Sequence, residues 1–185
     1  MKPAERALEA YLVASARLGD RRALSRLVEL RGARLFAHAV RLMGDREAAR
    51  DIVQEAWVEI LRGLHGLRDD AAFLPWALRI VSRRVAREIA RRQRGRRLAD
   101  EVAAEMDPVT AEVGPGVVDA ARVRAAIATL PRDQAATVAL FYLEDLGVAE
   151  VATALDVPVG TVKTRLMHAR RKLYAHLKGM DDEQT

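Results

Sequence analysis

The sequence predicts an all-α fold: two small helical domains joined by a flexible acidic linker, the C-terminal one containing a helix-turn-helix. Three observations carry this. Apolar residues recur three and four apart through most of the chain, and no alternating run is convincing as a strand. Half of the 185 residues are apolar but only two Trp, three Tyr and three Phe are aromatic; small side chains of this kind suit packed helices better than a β-sandwich. Charge, finally, comes in blocks of one sign. Arg79 to Arg97 hold nine Arg and one acid, Glu88. Residues 98–116 hold five acids (Asp100, Glu101, Glu105, Asp107, Glu112) and no base. Val159 to Lys178 hold six Lys or Arg and no acid. A net charge of +5 divided this way suggests a protein that meets more than one kind of surface.

Several classes fall away early. There is no cysteine, which excludes disulfides, thiolate chemistry and Cys-ligated zinc. The first twenty residues contain Lys2, Glu5, Arg6 and Glu9, and no apolar run reaches the length of a signal peptide or a membrane span. A soluble, cytoplasmic protein is the expectation.

Taken in order, Leu8, Tyr11, Leu12 and Ser15 keep helical spacing up to Gly19, a C-cap. Asp20 is placed to cap a second helix with Ala23, Leu24, Leu27 and Val28 inward, and helical spacing resumes at Leu35, Ala39, Leu42 and Met43 until Gly44. Asp45 then caps a helix with Ala49, Ile52, Val53, Ala56, Trp57, Ile60 and Leu61 on its buried face. The other face of that helix stacks Glu47, Asp51, Glu55 and Glu59 at four-residue intervals. Like charges at this spacing repel by roughly 0.2–0.5 kcal/mol per pair, so the column asks for an explanation. After a loop at 63–70 a basic helix starts near Ala71. Residues 98–116, with two Pro, two Gly and five acids, read as the linker. The domains are then 1–97 and 117–180, with 181–185 as a disordered tail.

The stretch from Gly147 to Leu173 is the most informative. Val148, Val151, Ala152 and Leu155 share a face of one helix; Asp156, Val157 and Pro158 break it. In the next helix Val162, Leu166, Ala169 and Leu173 face inward, while Lys163, Thr164, Met167, His168 and Arg171 share the opposite face. An apolar back with a basic, hydroxyl-bearing front fits a major-groove reader. The opening turn at Gly160 and Thr161 can offer backbone N–H groups to a phosphate. An ordinary helical hairpin with a solvated basic face is the competing reading of the same pattern; the turn chemistry and the acid-free second helix weigh against it.

At this point the residues resemble a known family. Leu130-Pro131, the spacing of residues 149–155 (AEVATAL) and residues 160–165 (GTVKTR) strongly resemble the C-terminal DNA-binding domain of bacterial sigma factors. Residues 44–57 (GDREAARDIVQEAW) look like that family's polymerase-binding helix, and residues 73–92 (FLPWALRIVSRRVAREIARR) like its promoter-melting helix. The match spans about residues 20–177, with no further domain expected, which is similar to the extracytoplasmic-function (ECF) group of the sigma-70 family.

The resemblance implies an alternative sigma factor. Its partners would be core RNA polymerase (the β′ coiled coil and the β subunit), promoter DNA and an anti-sigma factor. Glu47, Asp51, Gln54, Glu55 and Glu59 would dock on the polymerase, so the acid column would be answered by basic residues of the partner. Phe73, Trp76, Arg79, Arg83, Arg84, Arg87 and, in a loop spanning Arg91 to Arg97, Arg91, Arg92 and Arg94 would hold the non-template strand of the minus-ten element. Arginines with an occasional aromatic suit single-stranded DNA. As ring faces Phe73 and Trp76 are equally readable as core. Gly160, Thr161, Lys163, Thr164, Arg165, Met167, His168 and Arg171 would contact the minus-thirty-five duplex. The linker would thread the polymerase along the RNA path, although its charge alone fits a plain spacer. Arg83 and Arg87 stand where the family commonly has Asn and Asp, and His168 where many relatives have Arg, so base preferences there do not transfer.

An enzyme is disfavoured: there is no Gly-rich phosphate loop, nucleophile elbow or metal-ligand spacing, and no catalytic residue, metal or cofactor is expected. A stand-alone helix-turn-helix regulator remains the alternative. It would need a dimer to read two half-sites, and it leaves the acidic helix unexplained. An RNA-binding module would need aromatic platforms that are missing here.

Overall fold

A computed structural model describes residues 3–99 and 126–182, and no strand occurs among them. The chain divides into two compact units: the first contains helices α1 (Pro3–Arg17), α2 (Arg21–Met43), α3 (Arg46–Gly63) and α4 (Phe73–Ala99). The second contains α5 (Arg132–Val138), most of α6 (Val148–Leu155) and α7 (Val159–Asp182). The all-α expectation holds for all described residues.

In the first unit α2 is central and packs against α1, α3 and α4. Its boundaries follow from caps. Gly19 at φ +92° lets the chain reverse after α1, and the Asp20 carboxylate accepts hydrogen bonds from Arg22 N and Ala23 N at 2.8 and 3.2 Å. Gly44 at φ +74° closes α2, donating its N–H to Val40 O at 2.8 Å, and Asp45 starts α3 by accepting from Glu47 N and Ala48 N. The sequence predicts an interruption between Val28 and Leu35; instead α2 is one helix of 23 residues. The apparent gap in apolar spacing is filled by Arg31, whose side chain is fully buried. It pairs with the fully buried Glu9 of α1, and with Glu5 at 2.7 Å. Arg34 adds a second bond to Glu5 at 2.8 Å. So α1 is fastened to α2 by buried charge together with Leu12 and Val13, while Leu8 and Tyr11 stay exposed. Burial pushes the Glu9 carboxyl above its ordinary range, against the pull of Arg31. Val28 and Leu61, predicted inward, lie at the surface, and Trp57 is only half-buried.

The core between α2, α3 and α4 is built from Leu27, Leu35, Ile52, Ile60, Phe73, Leu78, Val81 and Val85. Within it His38 is fully buried with Nε2 2.8 Å from Ser82 Oγ and Nδ1 unpartnered. Burial, helped by the Arg41 charge, lowers its pKa to about 3. The unfolded chain therefore takes up a proton near pH 6.5 that the native state refuses until about pH 3, so stability is full above 6.5 and declines on acidification. Between pH 7 and 5 this one site is expected to cost about 2 kcal/mol. Urea denaturation at the two pH values should show that loss, and His38→Asn should flatten it; an unchanged slope in the variant would place the proton elsewhere.

Two further boundaries differ from the sequence expectation. The segment from Arg91 to Arg97, predicted as a loop, continues α4, because nothing between Phe73 and Ala99 after Pro75 interrupts the backbone ladder and Arg is a good helix former. Helix α7 runs to Asp182, two residues into the predicted tail. Most of the predicted linker, from residue 100 on, and residues 183–185 lie outside the described residues.

In the second unit α5 packs on α7 and continues as a wide π-helical turn over Ala139–Leu143. Val162, Leu166 and Ala169 of α7 are buried with Val151 and Ala152 of α6, as the periodicity requires, while Leu173 is half-buried. Asp156 at φ +56° makes the turn between α6 and α7.

Candidate functional site

The acidic column is present on α3. Glu47, Asp51, Gln54 and Glu55 are exposed and Glu59 is half-exposed, all opposite the buried face of Ala49, Ile52, Val53, Ala56 and Ile60. The column is also partly answered within the protein, which spacing alone does not reveal. α4 packs beside α3, and Arg84 bonds Glu59 at 2.9 Å and Glu55 as well. Two turns further on, Arg92 bonds the capping Asp45 at 3.1 Å and Glu88 at 2.9 Å, while Arg91 grips Glu88 through two nitrogens at 2.7 and 2.8 Å. These arginines hold the Glu88 carboxyl down at about 2. Asp45 is also lowered, first by the Ala48 N–H it caps and then by Arg92. Between the two helices runs a groove of about 440 Å³ with Asp51 and Glu55 on one wall and Arg84, Arg87, Arg91 and Arg92 on the other.

The predicted minus-ten residues therefore separate into groups. Phe73 is fully buried, so its ring has no face for a base, and that assignment is corrected: it is a core residue. Trp76 is half-buried; its ring tilts against Phe73 at a centroid distance of 6.0 Å and lies over the end of α3, where a Cβ on Gly63 would sit 3.0 Å from it. A side chain at Gly63 would thus require the ring to move by a few tenths of an ångström. Arg83, Arg87, Arg91 and Arg94 are exposed, and Arg79 and Arg92 half-exposed. Arg84 is turned to α3.

On α7 most of the residues predicted for the reading face lie at the surface. Gly160, Lys163, Thr164, Met167 and Arg171 are exposed, with Thr161 and His168 half-buried beside them. Pro158 serves as the residue before the helix, its carbonyl accepting from Thr161 N and Val162 N at 2.9 and 3.3 Å. Thr164 Oγ1 donates to Gly160 O at 3.0 Å, which fixes the hydroxyl and leaves its lone pairs outward for a donor. Arg165 leaves this face: it bonds Asp133 of α5 at 3.1 Å and fastens α7 to α5. Arg170, which the sequence pattern does not single out, donates to Tyr142 Oη at 2.7 Å and lies 5.7 Å from that ring's centroid. Among the described residues no three His, Asp or Glu side chains gather as metal ligands, and no helix is long and apolar enough to cross a membrane.

Residues 27–95 match the family model described as Sigma-70 region 2, and residues 120–173 the one described as Sigma-70, region 4. The chain is 30% identical over 175 residues to the RNA polymerase sigma-H factor of Pseudomonas aeruginosa, covering 88% of this chain and 90% of that protein. It is 26% identical to the ECF RNA polymerase sigma factor SigW of Bacillus subtilis, across 88% of this chain and 92% of the relative. Its fold matches that of the sigma factor RpoE from Bartonella quintana, solved in complex with the anti-sigma factor NepR, with a TM-score of 0.68 and 21% identity over 84% of this chain and 96% of that one. Both regions occur in order in one chain, which a stand-alone helix-turn-helix regulator would not require.

Proposed function

This chain belongs to the ECF group of the sigma-70 family of RNA polymerase sigma factors, and on that premise we propose which of its surfaces performs each step. It is an alternative sigma factor, which binds core RNA polymerase and directs it to promoters. Docking on the polymerase falls to the outward face of α3, with Asp51, Gln54 and Glu55 at its centre and Glu47 and Glu59 at its ends. Reading of minus-thirty-five duplex falls to Lys163, Thr164, Met167, His168 and Arg171, with the Gly160–Thr161 turn on a phosphate. The non-template strand of the minus-ten element is held by Trp76, Arg79, Arg83, Arg87 and Arg94. Arg91 contributes only donors left over from Glu88, and Arg92 only those left over from Glu88 and Asp45. Binding of the extruded bases by the protein offsets the cost of unstacking them, so that opening needs no ATP.

The observation that carries this division is the opposite sign of two exposed helix faces, acidic on α3 and basic on α7. For the segment 98–116 the tether through the polymerase is carried over from the family membership, since its charge alone fits a plain spacer. An anti-sigma partner and a cytoplasmic place of action follow from the same membership. The test is transcription by purified core polymerase on fragmented genomic DNA with and without this protein. New starts that share two upstream elements are expected. Absence of any binding to core would overturn the proposal.

A further inference from the structure

We propose that Arg84 is a positioning residue of the polymerase-docking face and not a contact to promoter DNA: its forked guanidinium holds Glu55 and Glu59 by one oxygen each and turns their other oxygens outward. This rests on the proposal that the acidic face of α3 docks on the polymerase. Arg84 sits in the arginine run of α4, among Arg79, Arg83 and Arg87, which are candidate DNA ligands. Its side chain is nevertheless only 22% exposed, while those of Glu55 and Glu59 are 68% and 38% exposed. The cation lies underneath and the carboxylates lie above it. Nε and Nη1 of Arg84 each take an Oε2, one from Glu59 and one from Glu55, and neither Oε1 takes a bond among the described residues. A carboxylate can accept several bonds at once, and the guanidinium fork is rigid, so the arrangement presents a fixed pair of acceptors to a basic partner.

Without Arg84 the two carboxylates, four residues apart on one helix, repel and their side chains splay. A pre-oriented pair is then lost, and the partner must order it during binding. Removing a cation from an acidic face would by long-range attraction alone favour a basic partner, so the direction of the effect separates orientation from simple charge.

The experiment compares Arg84→Gln and Arg84→Lys with the unaltered protein in two titrations: core polymerase binding by competition, and promoter binding by holoenzyme at saturating core as salt is varied. Arg84→Gln is expected to weaken core affinity about tenfold, and Arg84→Lys, which keeps the charge but loses the fork, by less. In a Glu55→Gln, Glu59→Gln background Arg84→Gln should have no further effect on core affinity, a readout that general loss of stability would not give. The salt dependence of promoter binding should not change. Unchanged or tighter core affinity would overturn the proposal, as would a salt slope smaller by about 0.7, the mark of one lost phosphate contact to a single strand. Should the charge reversal Asp51→Lys with Glu55→Lys itself leave core affinity intact, the docking assignment of α3 fails first and takes the proposal with it.

Discussion

Asp51→Lys combined with Glu55→Lys is expected to abolish binding to core polymerase while the protein keeps its helix content. Both side chains are exposed on the outward face of α3, one turn apart, and neither takes part in the core. Reversing them replaces attraction to a basic partner with like-charge juxtaposition, which costs several kcal/mol at an interface. A loss of about 4 kcal/mol is roughly a thousandfold in Kd. Stability should move far less. Asp51→Lys removes a repulsion within the column, and Glu55→Lys forfeits one exposed bond to Arg84, an interaction worth about 1 kcal/mol or less. Far-UV circular dichroism and competition against a labelled sigma factor measure the two effects separately. Undiminished core binding would remove the docking assignment.

The same variant bears on the acid column itself. Three repelling pairs at the usual magnitude would cost an isolated helix about 1 kcal/mol. In the folded unit part of that is offset by Arg84 against Glu55 and Glu59, and Arg92 supports the cap at Asp45. Glu47 and Asp51 gain no such bridge from α4 in the structure. The part of the column that α4 leaves unbridged among the described residues is therefore its N-terminal half.

What could be read in advance was whatever depends on neighbours in sequence. The caps Asp20 and Asp45, the stop at Gly44, the buried residues Ala49, Ile52, Val53, Ala56 and Ile60 of α3 and the inward residues Val162, Leu166 and Ala169 all follow from three- and four-residue spacing and local turn chemistry, and these hold, while Trp57 and Leu61 at the edge of the α3 stripe do not. What could not be read depends on partners far along the chain. Arg31 looks like a surface residue until Glu9, 22 positions earlier, meets it in the core, and α2 then looks broken where it is continuous. Phe73 and Trp76, three residues apart, are indistinguishable by pattern, yet one is sealed in the core and the other lies over Gly63. In a run of nine arginines spacing cannot tell Arg84, turned to α3, from Arg83 and Arg87. Arg165 likewise belongs to the matching motif, but its guanidinium reaches Asp133 and leaves the reading face.

Arg31→Met is expected to destabilise the N-terminal unit by about 3–5 kcal/mol, the range found when one partner of a buried ion pair is removed. The variant leaves Glu9 charged in a dry site, and Glu9 already has one oxygen, Oε1, without a partner. Glu5 suffers less, because it is partly exposed and retains Arg34. The loss has a pH signature. Burial raises the Glu9 carboxyl above its ordinary range, and without Arg31 nothing nearby of comparable strength restrains it. A group whose native pKa is raised favours the folded state at low pH and opposes it once the pH exceeds that pKa. The deficit of Arg31→Met relative to the unaltered protein should therefore be greatest at pH 7 and shrink toward pH 4, while the His38 contribution, common to both, cancels in the comparison. Replacing the pair together, Glu9→Leu with Arg31→Met, should restore most of the stability or exceed it, since the cost of burying both charges disappears. Both tryptophans, Trp57 and Trp76, belong to the N-terminal unit, so fluorescence-monitored urea denaturation follows that unit alone. A deficit under 1 kcal/mol in the single variant would mean that α1 is held by Leu12 and Val13 without help from the buried pair.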